Sequence, residues 1–226
     1  MSTNASVEIA PVEIKHSSPH HVCIPVDDVV LMGDLAVPPG AGGVIVCLGA
    51  RSACAAGMIR ENGSATLRID LFTPQERHED DLTHCLRFNI NLMAGRLVAI
   101  TRWLAKQPQT AHFGFGYFGE EMTGAAALAA AAELGVVIDA VVCRQSRPDF
   151  AANALPKVEA ATLLICDKSN HPLLEMNRVA LARLRCEKQL QLIPDSNTDK
   201  GVRDCARDYV GCTLAARWFK SYVRGR

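Results

Sequence analysis

The feature that most constrains this chain is a repeated alternation of short apolar runs with segments of helical period. The run GGVIVCLGA (42–50) shows no polar–apolar alternation, as expected of a strand covered on both faces. SATLRIDLF (64–72), HFGFGYFG (112–119), VIDAVVCRQS (137–146), ATLLICDKS (161–169) and KQLQLIPDS (188–196) follow it. They predict strands over 43–48, 65–70, 112–118, 138–143, 162–166 and 189–193. Upstream, HHVCIPVDDVVLMGDLAVP folds two β-rich runs about Asp27-Asp28, a hairpin signal. Between the strands, Leu82, Leu86, Ile90, Met93, Leu97, Ile100 and Leu104 recur at steps of four and three and predict one long helix stopped before Pro108. The stretch 122–134 is Ala-rich. Leu174, Asn177, Leu181 and Leu184 mark a further helix, and Cys205, Tyr209, Cys212, Ala216, Phe219 and Val223 a last one. Strand–helix alternation after a hairpin implies an α/β fold with a mostly parallel sheet and helices on both faces. Sites in such sheets form at the C-terminal ends of the strands, which directs attention to the loops beginning at Leu48, Phe72, Gly119, Cys143, Asp167 and Pro194.

Composition narrows the function classes. Lys+Arg and Asp+Glu both number 24, so there is no basic excess of the kind nucleic-acid modules carry; the basic end RWFKSYVRGR reads as a solvated helix terminus. The longest apolar tracts, such as AAALAAAA, fall short of the ~20 residues that cross a bilayer. The polar start, MSTNASVEIAPVEIK, has no signal core. A cytoplasmic protein without nucleic-acid or membrane partners is expected, with residues 1–20 as a loose arm and 21–226 as one domain. The nine cysteines include no C-x-x-C pair and read as small hydrophobes, Cys85, Cys205 and Cys212 on helical stripes and Cys47, Cys143 and Cys166 in strands. RHEDDLTH (77–84) offers metal-ligand types but reads as the acidic entrance of the long helix. GFGYFG lacks the lysine of a P-loop and lies within a strand. Arg147-Pro148-Asp149 reads as a turn held by its aspartate. No metal or cofactor is expected.

The turn FGYFGEEMTGAAALAA (115–130) joins a strand to a small-residue helix, the setting in which a G-x-S-x-G turn presents a nucleophile. Together with GVIVCLGA, DLFTPQE, GYFG, SRPD and LEMNRVALARL, it resembles the dienelactone-hydrolase-like branch of the α/β-hydrolases from about His21 to the C-terminus. The resemblance implies an α/β-hydrolase fold with an eight-stranded, mainly parallel sheet, and cleavage of esters or lactones by a nucleophile–His–Asp triad. It also implies that some relatives carry a phosphoribosyltransferase-like domain, which is not in this sequence.

Carried over position by position, the triad is missing. The nucleophile place falls on Glu121, or on Met122 if the turn holds one extra residue. The acid place falls on Asn170, with Asp167 three residues earlier, and the histidine place on Thr198 in PDSNT. The oxyanion loop, His-Gly in the family, reads Leu48-Gly49-Ala50-Arg51, and the helix after it looks about two turns short. Serine-type hydrolysis needs a nucleophile, its base and oxyanion donors together. The expectation is therefore a non-hydrolytic homologue, serving as a small-molecule-binding or protein-assembly module, with a ligand, a second copy or another protein as partner classes. Leu48, Ala50, Arg51, Glu120, Glu121, Met122, Asn170, His171 and Thr198 are its pocket candidates. The alternative is a hydrolase using the Glu121 carboxylate, with His171 the nearest histidine. First-turn acids at 120 and 121 are ordinary helix caps, which favours the first expectation.

Overall fold

The computed structural model describes residues 18–49, 52–193 and 202–225, with side chains in the last segment from residue 208 onward. Eight strands form one sheet in the order β1-β2-β4-β3-β5-β6-β7-β8. They are β1 (His20–Val26), β2 (Val29–Ala36), β3 (Gly43–Leu48), β4 (Ala65–Ile69), β5 (Gly114–Glu120), β6 (Ile138–Arg144), β7 (Ala161–Asp167) and β8 (Lys188–Ile193). The β1–β2 and β2–β4 pairs are antiparallel and all others parallel. Every residue of β3 and β7 is buried, which is why these runs carry no alternation.

Helices cover both faces. α3 (Ile90–Leu104), α4 (Glu121–Leu134) and α5 (His171–Arg183) lie on one side, where Met93, Leu97, Ala126 and Leu128 pack with Val44, Tyr117 and Val141. α1 (Ser52–Glu61) and α6 (Val202–Tyr222) lie on the other, where Ile59, Cys212 and Phe219 pack with Ile45, Phe118 and Val142. Among the described residues, no helix is long and apolar enough to cross a membrane. The architecture is the α/β-hydrolase fold.

The long helix expected over 82–104 is two helices. α2 (Pro74–Thr83) ends at His84 in the left-handed region (φ 57°), a short 3-10 turn spans Leu86–Phe88, and the side chain of Asn89 caps α3. A buried carboxylate makes the break. Asp80 accepts the Arg87 backbone N–H at 2.8 Å and the Arg87 Nε at 2.7 Å, which folds the chain back on α2. RHEDDLTH is thus the body and end of α2, not a helix entrance; that entrance is Thr73, whose hydroxyl accepts the Glu76 N–H while the Glu76 carboxylate accepts the Thr73 N–H. Leu82 and Cys85, read as apolar-stripe residues, are exposed, and so is Tyr209 on α6.

Candidate active site

A cleft of about 430 Å³ opens at the C-terminal ends of the strands. Its described lining comes from six places: Glu120, Glu121, Met122 and Thr123 at the β5–α4 junction; Arg144 and Gln145 at the end of β6; Asp70, Phe72, Arg77, Asp81, Arg87 and Met93 along the β4–α3 connection; Gly49 after β3; Ile193 at the end of β8; and Asp208 on α6.

The junction has the backbone of a nucleophile elbow. Glu121 adopts φ 49°, a left-handed conformation that is costly for a residue with a Cβ. The strained position is Glu121, so of the two readings of the turn the one without an extra residue matches the elbow. The turn is held closely. A Cβ on Gly119 would lie 2.7 Å from the Gly124 Cα, and a Cβ on Gly124 would lie 2.0 Å from the Ser146 Oγ, so both glycines let strand, helix and neighbouring loop meet. Thr123, in the place of the motif's last glycine, has its hydroxyl occupied: it donates to the Glu120 carbonyl at 2.7 Å and accepts the Glu120 N–H at 2.9 Å.

The β6 loop clamps the elbow from the side. Ser146 Oγ donates to the Glu121 carbonyl at 2.6 Å, and the Arg147 N–H donates to the same oxygen at 3.2 Å. The fully buried Asn177 of α5 donates in turn to the Ser146 carbonyl at 3.0 Å. Gln145, beside Glu121 in the cleft, is also left-handed at φ 49°. Two adjacent strand tips therefore carry strained residues facing one cavity.

Under the elbow lies a buried charge cluster. Arg144 forms a salt bridge to Glu120 through Nη2, with Nε also donating to the same Oε1 at 2.6 Å, and reaches Asp208 of α6 at 2.9 Å. Burial alone would lower the Arg144 pKa, but Glu120 and Asp208 override it and raise it, so the guanidinium stays charged. At the cleft edge, Arg77 holds Asp70 bidentately at 2.5 and 2.9 Å and stacks over Phe72 at 4.7 Å. Arg96, buried on α3, anchors this wall through Glu76 (2.6 and 2.7 Å) and the Leu71 carbonyl (2.7 Å). Those Arg96 hydrogen bonds hold the Glu76 pKa down at about 2.

The sequence candidates fall into three groups. Glu120, Glu121 and Met122 line the cleft, with Leu48 buried as the last residue of β3 behind Gly49. Asn170 and His171 lie beyond β7 and do not line it; the Asn170 side chain caps α5 by accepting the Leu173 N–H at 3.2 Å, and His171 is the exposed first residue of that helix. Ala50, Arg51 and Thr198 lie outside the described residues. Sequence reasoning missed Arg144, Gln145 and Asp208. A charged residue closing the apolar run VVCR was the available signal for Arg144; the Asp208 contact depends on tertiary placement. Arg147 and Asp149 pair with each other through their side chains at 2.8 and 2.9 Å across Pro148. Among the described residues, no group of three or more His, Cys, Asp or Glu is placed to hold a metal.

Comparison with known proteins places this geometry. No family model matches the chain. A dienelactone hydrolase of Anabaena variabilis of known crystal structure is 39% identical, with a TM-score of 0.86 over 92% of this chain and all of that one. A dienelactone hydrolase-like promiscuous phosphotriesterase, P91, from metagenomic libraries shares the fold at 15% identity and a TM-score of 0.65, covering 89% of this chain and 98% of that one. A Mycobacterium tuberculosis protein provisionally named a phosphoribosyl transferase is 38% identical over 208 residues, 87% of this chain but 45% of its own. The chain thus spans less than half the length of that curated relative. With the full-length match to the Anabaena protein, the chain belongs to the dienelactone-hydrolase-like branch of the α/β-hydrolases.

Proposed function

We propose that this protein is a non-hydrolytic member of its family that binds a small molecule in the elbow cleft. The observation that carries this is the occupant of the elbow. The strained position that would present a nucleophile presents the Glu121 carboxylate, and among the described residues no serine, cysteine or histidine lines the cleft. Thr123, the one hydroxyl among the described lining residues, is closed onto the backbone of Glu120. Hydrolysis of the serine type requires nucleophile, base and oxyanion donors to act as a unit, and losing members costs most of the rate. Without them the fold still offers a concave, partly apolar cleft of ligand size.

The test is turnover of simple esters, lactones and dienelactones by the purified protein, alongside labelling with serine- and thiol-directed probes. The expected result is no rate above a buffer blank and no label on residues 119–124. Turnover abolished by Glu121→Gln, but kept in the surface variant Glu175→Gln, would instead establish a carboxylate-dependent hydrolase.

A second role, assembly with another protein, is supported by the tuberculosis relative. There the matching region is covalently joined to more sequence than it contains itself. Light scattering of the protein alone and with a separate phosphoribosyltransferase would reveal such an assembly as a heteromeric peak.

A further inference from the structure

Among the described residues, every arginine that reaches the cleft is already neutralised inside the protein. Arg77 is taken up by Asp70, Arg87 by the fully buried Asp80, and Arg144 by Glu120 and Asp208. Asp81 is exposed and meets only the far side of Arg87, at 3.8 Å. Glu121 is exposed and makes no side-chain hydrogen bond or ion pair to any described residue. The described lining therefore holds three arginines against five carboxylates, and the surplus sits at the elbow tip and the cleft edge. Phe72, Met93, Met122 and Ile193 supply apolar walls.

We infer that the cleft takes small organic cations, an ammonium or amidinium group on a short apolar body, with the Glu121 carboxylate as counter-charge. The inference rests on the small-molecule reading above and gives its ligand a charge. Among the described residues, an anion has no arginine to meet without breaking a pair that is buried or bidentate, and leaving a buried charge unpaired is costly. It would also approach two carboxylates. The positive end of α4, the usual attraction for anions at such a junction, already has acids at residues 120 and 121. A cation meets the opposite situation: a carboxylate with no partner among the described residues, held by a clamped backbone, beside apolar surface for its body.

Hexylamine, hexanoate and hexanol share one apolar chain and differ in charge, and can each be titrated into the isotope-labelled protein while amide resonances are followed. Hexylamine is expected to shift the amides of residues 119–124, 144 and 145, and to do so at least about tenfold more tightly than the other two. Glu121→Gln is expected to erase that preference, while Glu175→Gln leaves it intact. Hexanoate or hexanol binding these residues as well as hexylamine would overturn the inference and leave the small-molecule reading standing. Saturable shifts from none of the three would overturn the inference and count against the small-molecule reading, favouring assembly. A preference for hexylamine that survives Glu121→Gln would overturn the role given to Glu121.

Discussion

Arg144 on β6 stands opposite Glu120 on β5, and the two form a salt bridge almost wholly withdrawn from solvent, with side chains 6% and 11% exposed. The pair sits one residue before the elbow and reaches α6 through Asp208. Removing one member of such a pair strands the other, whereas replacing both with apolar groups is much milder. Arg144→Met is therefore expected to lower the unfolding free energy by about 3–5 kcal/mol, and Arg144→Met with Glu120→Met to recover most of that. Urea denaturation of the two variants checks it.

The strain at Glu121 can be isolated by comparing two variants that both delete its carboxylate. Alanine keeps a Cβ at φ 49°, and glycine does not. Glu121→Gly should be more stable than Glu121→Ala by about 1 kcal/mol, the reverse of the order expected inside a helix. Equal midpoints, or a more stable alanine variant, would mean that the turn relaxes in solution.

Gly124 is fixed by a different constraint, since a methyl group there would run into Ser146. Gly124→Ala is expected to cost about 1–3 kcal/mol despite alanine's better helix propensity. Ser146→Gly in the same chain should recover part of the loss. Thermal midpoints of the single and double variants decide the point.

Acid should loosen the wall that carries Phe72 and Arg77. Glu76 has a folded pKa of about 2 against an ordinary 4.5, because Arg96 and then the Thr73 N–H bind its charged form. A lowered folded pKa contributes stability that is present above pH 4.5 and lost as pH falls through about 2. The amount is about 3 kcal/mol. Glu76→Gln should remove it and flatten the pH dependence of unfolding across that window. A variant with the parent's slope there would show that Glu76 is not its source.

The thiols should divide by burial. Burial pushes the Cys47, Cys166 and Cys212 pKa values up to about 12 and Cys143 higher still, leaving them almost entirely as thiols at neutral pH. Iodoacetamide on the native protein is expected to modify Cys23, Cys54 and Cys85, which are exposed, and to spare those four until the chain unfolds. Peptide mapping before and after denaturant reads this directly.

How far the sequence carried the reading follows from where each signal resides. Strands such as Gly43–Leu48 and Ala161–Asp167 were legible because burial on both faces demands an unbroken apolar run. The elbow was legible because Gly119 and Gly124 answer a close approach of backbones. The break between α2 and α3 was not, because the apolar period runs on through it while a single buried carboxylate, Asp80, turns the chain. Asn170 matched a triad place by alignment but is a helix cap by geometry, a distinction carried by the direction of its side chain. Arg144 and Asp208 lie 64 residues apart, and no local pattern announces that they meet.

The left-handed backbone at Glu121 has one more consequence. The turn is set by its surroundings, through the glycines that let strand and helix touch and the carbonyl clamp from Ser146 and Arg147, and by no bond from the glutamate side chain to any described residue. Such a junction behaves as a socket, in which the reactive group is a replaceable fitting. One codon can exchange the group displayed at the mouth of the sheet while the scaffold keeps its shape.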